Sequence, residues 1–343
     1  MVAALLDALA AEPGLRLAEP GEFTRRAVEN GRLDLTQAEA VADLVAAETE
    51  AQRRQALGQF EGKLATLYEG WRSDLIRAAA WVEASIDFPD EEIPPEAMAQ
   101  SRGAMASTAG EIRAHLNDGR RGEILREGLQ VAVIGPPNAG KSSLVNALAN
   151  RDVAIVSDVP GTTRDVIEVR LDLKGYPVIL ADTAGLREAR GPIEEEGIRR
   201  AEARAVSADL RLLVLDGTLP APKKLPSAEL KVWSKCDLVR TKAREGLSVS
   251  SKTGEGLNEL IDALAGYAER GMARGEAPVV TRARHRQALE EAAKSLEQAA
   301  SEEAPELAAE HLRRALRYVG RITGRVDLDE LLDVVFRDFC LGK

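Results

Sequence analysis

The chain has 343 residues, 45% of them hydrophobic and 30% charged, a balance that fits a globular protein long enough to bury two cores. Aromatic residues make up only 3%, which excludes wide stacking platforms for single-stranded nucleic acid, and a net charge of −10 means that a nucleic-acid role needs a local basic patch or a helper protein. Two cysteines, Cys236 and Cys340, supply neither a disulfide framework nor a metal-ligand cluster, and no apolar run approaches the roughly 20 residues of a membrane span, so a cytoplasmic protein is expected.

In chain order, Met1 to Leu9 is apolar but carries Asp7 and no leading positive charge, so it does not read as a signal peptide. A short helix over Val2 to Leu9 runs into Leu15-Arg-Leu17 and Pro20-Gly21, a piece too small to make a core by itself. Thr36 and Glu39 sit at capping-box spacing and predict a helix start, after which apolar residues recur at helical intervals from Val41 to Ile86. The proline-bearing stretch Asp87 to Pro95 breaks that rhythm, and a further helix is expected from Glu96 to Asn117. Leu129–Ile134, Val166–Leu173, Tyr176–Ala181, Leu210–Leu215, Leu230–Trp233 and Leu247–Val249 then read as strands separated by helical or loop segments, the pattern of an α/β sheet. Helices return at Thr281–Ala300 and Leu307–Ile322, with a last one starting near Asp327 and Glu330. The α/β part, residues 120–272, is therefore expected to be inserted into an all-α domain made of residues 21–119 and 273–343.

The central motif is Gly135-Pro-Pro-Asn-Ala-Gly-Lys-Ser142, a glycine-rich phosphate loop between a strand and a helix. Its backbone N–H groups and the helix end favour phosphate oxygens, Lys141 neutralises the β- and γ-phosphates, and the Ser142 hydroxyl suits Mg²⁺. Further motifs follow in the order a GTPase needs. Asp182-Thr-Ala-Gly185 holds Mg²⁺ through water at Asp182 and senses the γ-phosphate at the Gly185 N–H. In Ser234-Lys-Cys-Asp237 the Asp237 carboxylate accepts from the guanine ring N–H and amine, which adenine cannot match. Ser250-Ser-Lys252 suits the loop that touches the guanine carbonyl. Gly161-Thr-Thr-Arg-Asp165 lies where a threonine closes over Mg²⁺. The predicted GTP site comprises Asn138, Ala139, Gly140, Lys141, Ser142 and Ser143; Ser157, Asp158, Val159, Pro160, Gly161, Thr162 and Thr163; Asp182, Thr183, Ala184 and Gly185; Ser234, Lys235 and Asp237; and Ser250, Ser251 and Lys252. One position departs from the pattern: the guanine motif normally opens with Asn, and the shorter Ser234 is expected to act through water or not at all.

Many small GTPases place a water-orienting Gln directly after Asp-x-x-Gly; here Leu186 stands there, and an apolar side chain cannot do that work. Two other devices are visible. Asn138 can offer an oxygen to a monovalent cation beside the phosphates, and Glu194 can orient water; the plainer reading of Glu194-Glu-Glu196 is a solvated helix start.

On these residues, together with Pro20-Gly-Glu-Phe-Thr-Arg25, Arg32-Leu-Asp-Leu-Thr-Gln-Ala-Glu-Ala40, Ile86-Asp-Phe-Pro89 and the tail Phe339-Cys-Leu-Gly-Lys343, the chain resembles the MnmE (TrmE) family of tRNA-modification GTPases. The resemblance implies K⁺-stimulated GTP hydrolysis on dimerisation of the G domains, with a flavoprotein of the MnmG type as partner and the wobble uridine of tRNA as substrate. It implies K⁺ ligands at Asn138, Ser157, the Val159 carbonyl and Thr162, Mg²⁺ ligands at Ser142 and Thr163, and Glu194 as the residue that orients water. It places Cys340 near the tRNA chemistry, and Arg32 and Lys343 near a 5-formyl- or methylene-tetrahydrofolate. The folate-binding, dimer-forming front domain of the family has a counterpart only in residues 1–20, so folate binding and constitutive dimerisation are not expected to carry over intact. Arg313, Arg314, Arg317, Arg321 and Arg325 form either a tRNA-facing stripe or a solvated face paired with acids, and Cys236 is expected to be incidental. A ribosome-assembly GTPase and a non-catalytic GTP-binding module are the competing readings.

Overall fold

The computed structural model describes residues 2–88, 90, 94–155, 168–182, 206–222, 225–239, 245–272 and 278–325. In chain order the helices are α1 (Val2–Ala10), α2 (Glu22–Glu29), α3 (Leu35–Val45), α4 (Glu50–Phe60), α5 (Lys63–Asp87), α6 (Pro95–Leu116) and α7 (Arg121–Glu127). There follow β1 (Leu129–Ile134), α8 (Lys141–Ala149), β2 (Glu168–Leu173), β3 (Tyr176–Asp182), β4 (Leu210–Asp216), β5 (Leu230–Ser234), a short 3₁₀ turn (Cys236–Leu238) and β6 (Leu247–Ser248). The chain ends its described part with α9 (Leu257–Met272), α10 (Ala283–Ser301) and α11 (Pro305–Thr323). The expected helix after Asp327 lies outside the described residues.

Two compact units result: Met1–Ala46, Gln55–Gly119 and Glu276–Lys343 form one, and Ala47–Arg54 with Arg120–Gly275 the other. An α/β phosphate-loop G domain is thus inserted into an all-helical domain. Residues 47–54 belong with the α/β unit, a division the helical rhythm hid. Ala51 N–H donates to the Gly175 carbonyl at 3.1 Å, the Gln52 amide to the Arg126 carbonyl at 3.0 Å, and Arg170 pairs with Glu48 at 3.0 Å.

In the helical unit, α5 buries Leu64, Tyr68, Trp71, Leu75 and Val82, spaced three, four and seven residues apart so that they share one face. That stripe packs with Met105 and Ile112 of α6, Leu289 and Leu296 of α10, and Leu312, Val319 and Ile322 of α11. α3 is capped differently from the expected Thr36/Glu39 box. Asp34 is the N-cap: its carboxylate accepts from Gln37 N–H at 2.9 Å, and the Gln37 amide oxygen accepts from Asp34 N–H at 3.0 Å. Glu39 is unavailable for capping because it is buried against Arg284 and His285. The long rhythm after Val41 is likewise three helices. It is interrupted at residues 46–49 and again at Gly62, whose φ of 85° is cheap only for glycine.

In the α/β unit the strand order is β2-β3-β1-β4-β5-β6, with β2 antiparallel to β3 and every other pair parallel. β1 is a nearly continuous apolar run because it lies inside the sheet, between β3 and β4. One sheet face packs on Leu144, Val145 and Leu148 of α8 and on Leu260, Leu264 and Ala268 of α9; Leu213, Leu215 and Trp233 lie in a separate cluster. The parallel strands bring Ile134, Asp182, Asp216 and Ser234 to their carboxyl ends. This is the edge at which open α/β sheets bind ligands.

Candidate nucleotide site

The loop from β1 to α8 is built on three unusual backbone positions. Gly135 has φ of 148°, and a Cβ there would come within 2.1 Å of the Val214 carbonyl oxygen on the neighbouring β4. Only glycine lets the loop leave the sheet so close to β4. Asn138 holds a left-handed φ of 59°, and Gly140 one of 88°. Lys141 then opens α8, and its side chain turns back over the loop: Nζ donates to the Gly135 carbonyl at 3.0 Å and to the Pro136 carbonyl at 2.8 Å. The lysine is 5% exposed, so a positive charge is fixed in the mouth of the loop. Gly140 has no side chain with which to cap α8, and the N-terminal end of such a helix favours an anion. Ser142 is half-buried on that first turn and Ser143 exposed.

The guanine motif is fastened to this loop. Ser234 is 2% exposed, and its hydroxyl donates to the Ala139 carbonyl at 2.6 Å, with the Leu215 carbonyl at 3.2 Å. The expectation that serine is too short to act directly is therefore corrected. β5 comes close enough to the loop for a single hydroxyl to span the gap. Lys235, at a left-handed φ of 59°, donates from Nζ to the Asn138 carbonyl at 3.0 Å and to the Asp216 carboxylate at 2.6 Å. Asp237 lies exposed on the 3₁₀ turn, where a base could reach its carboxylate. Cys236 N–H donates to the Val249 carbonyl at 3.1 Å, which ties this turn to the chain after β6. There Ser250 is buried, and its hydroxyl accepts from Thr253 N–H at 3.1 Å, shaping the turn that carries Ser251 and the exposed Lys252. Gly256 permits the turn: a Cβ there would lie 1.9 Å from the Ser248 carbonyl oxygen.

Asp216 was not among the residues singled out from the sequence. Its only signal is a carboxylate closing an apolar strand before Gly217-Thr218. Burial works against its charge, but hydrogen bonds from Lys235 and Thr218 outweigh burial and hold the carboxyl below its ordinary value.

The MnmE helical domain family matches residues 35–340, most of the chain. This chain belongs to the MnmE family. Relatives named tRNA modification GTPase MnmE align along its whole length. That of Parvibaculum lavamentivorans is 56% identical over 100% of this chain and 80% of its own. That of Rhodospirillum rubrum is 56% identical over 100% of this chain and 78% of its own. Among solved structures, the G domain of the T. maritima FeoB iron transporter matches 41% of this chain and 98% of its own at 29% identity, with a TM-score of 0.30.

The remaining positions expected from the MnmE resemblance divide by place. Asp182 closes β3 opposite Val133 of β1, at the same sheet edge as the loop. Ser157, Asp158, Val159, Pro160, Gly161, Thr162, Thr163, Thr183, Ala184, Gly185, Leu186, Glu194, Cys340 and Lys343 lie outside the described residues. Arg32 is exposed in the helical unit, just after α2, with its backbone N–H on the Ala27 carbonyl at 2.7 Å. Among the described residues no group of three or more His, Cys, Asp or Glu side chains could hold a metal, and no helix is long and apolar enough to cross a membrane. Burial pushes the Cys236 thiol up, with Glu255 adding to it, so it is no ready nucleophile. Of the five arginines, Arg313 pairs with Glu83, Arg314 and Arg317 of the same helix pair with Glu310, and Arg325, just past the end of α11, pairs with Glu69.

Proposed function

We propose that this chain hydrolyses GTP in its α/β unit with K⁺ stimulation, and that the cycle drives modification of the wobble uridine of tRNA together with a flavoprotein of the MnmG type. The product group is a 5-aminomethyl or 5-carboxymethylaminomethyl substituent. One observation carries the reading: the loop that buries the Lys141 charge is braced by Ser234 and Lys235 of the turn that presents Asp237. Phosphate and guanine recognition are thereby built as one piece.

Lys141 offsets the charge of the β- and γ-phosphates, and the backbone N–H groups of the loop and of the first turn of α8 orient them. Asp237 accepts from the guanine ring N–H and amine. Glu194 orients the attacking water in place of the missing Gln. Ser142 and Thr163 would hold Mg²⁺, with Asp182 acting through water. Ser142 stands on the first turn of α8, and Mg²⁺ asks for few protein oxygens because phosphates and waters complete its shell. Asn138, Ser157, the Val159 carbonyl and Thr162 would hold K⁺; Asn138 is exposed at the loop crest, and its oxygen is a donor suited to a hard cation. Bound there, the two cations would supply positive charge against the transferring phosphoryl group. A tetrahydrofolate is a different case. Among the described residues only Arg32 is assigned to it, and one exposed guanidinium makes no cradle, so no step is derived through folate. The α/β units pair as a homodimer in the cytoplasm. The acid-paired arginines of α11 leave tRNA contact to be shared with the flavoprotein.

The experiment is GTP hydrolysis by the purified chain in KCl and in NaCl at matched ionic strength. The expected result is marked K⁺ stimulation that disappears in Glu194→Ala while GTP still binds. Equal, negligible rates in both salts would remove the catalytic reading and leave a GTP-binding module.

A further inference from the structure

The geometry points to Asp216 as a positioning residue for the nucleotide, one that fixes Lys235 and, through it, the crest of the phosphate loop. The inference rests on the reading of this site as a guanine-nucleotide site and names a further residue in it. β4 and β5 run parallel with Asp216 opposite Ser234, so the end of β4 lies one strand from the guanine motif. Both carboxylate oxygens are engaged. Oδ1 accepts from Thr218 N–H at 2.8 Å and from its hydroxyl at 2.6 Å, while Oδ2 accepts from Lys235 Nζ at 2.6 Å. The Asp216 side chain is 12% exposed and that of Lys235 37%, so the pair is partly withdrawn from screening water. Held from one side, the ammonium has a fixed direction for its other bond, to the Asn138 carbonyl at 3.0 Å.

That bond falls where the loop most needs support. Asn138 has a left-handed φ of 59°, which a non-glycine residue adopts at a cost, and Ala139 beside it is held by Ser234. The crest therefore has two struts. Ser234 reaches it directly, and Asp216 reaches it through the lysine. Gly217 keeps the two strands in step: its N–H donates to the Ser234 carbonyl at 2.9 Å, and a Cβ there would meet that oxygen at 2.5 Å. Without the Asp216 carboxylate, Lys235 is free to swing into solvent, and the crest loses one of its two struts.

The test is the release rate of a fluorescent GDP analogue from the full chain, with thermal unfolding of the nucleotide-free protein beside it. Asp216→Ala and Asp216→Asn are expected to release nucleotide about tenfold and severalfold faster than the unaltered chain, the scale of one charge-assisted hydrogen bond. Nucleotide-free melting of Asp216→Asn should stay close to that of the unaltered chain, because the amide keeps the shape and an acceptor for Thr218. The decisive arm is the pair with Lys235→Ala. If Asp216 acts through Lys235, the double variant releases nucleotide no faster than Lys235→Ala alone. Additive effects, or unchanged release in Asp216→Asn and Asp216→Ala, overturn the inference while leaving the nucleotide site standing. Failure of the unaltered chain to bind the guanine analogue overturns both together.

Discussion

Ser234 shows how much one atom can carry at this site. A hydroxyl occupies the place where the guanine motif ordinarily has a carboxamide, and it still reaches the Ala139 carbonyl at 2.6 Å. Replacing it by alanine leaves that carbonyl without this donor in a residue only 1% exposed. We expect Ser234→Ala to weaken GDP binding by roughly tenfold, since a lost buried hydrogen bond costs on the order of 1–2 kcal/mol. Equilibrium titration with a fluorescent GDP analogue checks this, and unchanged affinity would mean that the loop holds its shape without the brace. At this scale the sequence is legible where a motif fixes backbone and chemistry together. Gly135, Gly140 and Lys141 are of that kind: each residue type is the one that the loop geometry admits. Asp216 was hidden because an aspartate followed by Gly-Thr reads first as a turn former. It does form such a turn, through Thr218, while its second oxygen holds Lys235.

Among elements, the interior strands were readable to within a residue because burial inside the sheet makes most of their positions apolar. β1 is Leu129–Ile134 as expected, and β4 and β5 run one residue further, to Asp216 and Ser234. The helices of the first part were less legible. Periodicity reports a buried face and is nearly blind to breaks between helices that share a core, so the interruptions at residues 46–49 and at Gly62 passed unseen. The start of α3 was misplaced by two residues because Thr36 and Glu39 have capping spacing without capping geometry; Asp34 and Gln37 have both. Asp34→Ala should therefore destabilise the helical unit by about 1 kcal/mol, the usual worth of an N-cap. Thr36→Ala should cost less, since its hydroxyl only donates to Asp34. Urea unfolding of the two variants decides between them, and a larger loss in Thr36→Ala would restore the box read from spacing.

For the molecule as a whole, two units with separate cores predict two sources of stability that respond to different things. GDP should raise only the transition of the α/β unit, because only there does it bind the folded state. The helical unit is held at a polar centre instead. Glu39 is 1% exposed and accepts from Arg284 at 2.7 Å and from His285 Nε2 at 2.9 Å, while Arg282 bonds Asp43 at 2.7 Å. Burial opposes the Glu39 charge, but His285, Arg284 and Arg282 more than offset it and hold the carboxyl well below the usual range. His285 is pushed down by its own burial and by Arg284 against the pull of Glu39, and among the described residues its buried Nδ1 has no hydrogen-bond partner. His115, half-buried beside Tyr68, is also pushed down by burial. The signs follow. Glu39 contributes stability above the ordinary carboxylate value and loses it only in strong acid. A histidine with a depressed folded pKa takes up its proton more readily when unfolded, so stability is full above the ordinary value of 6.5 and falls as pH drops below it. Calorimetry with GDP present to lift the α/β transition should therefore show the helical transition moving down between pH 7 and 5.5. In Glu39→Gln it should already be lower at pH 7, by the roughly 3–5 kcal/mol that breaking a buried ionic cluster costs. A helical transition flat across that pH range would mean that His285 meets its proton in the folded state, which its full burial against Arg284 argues against.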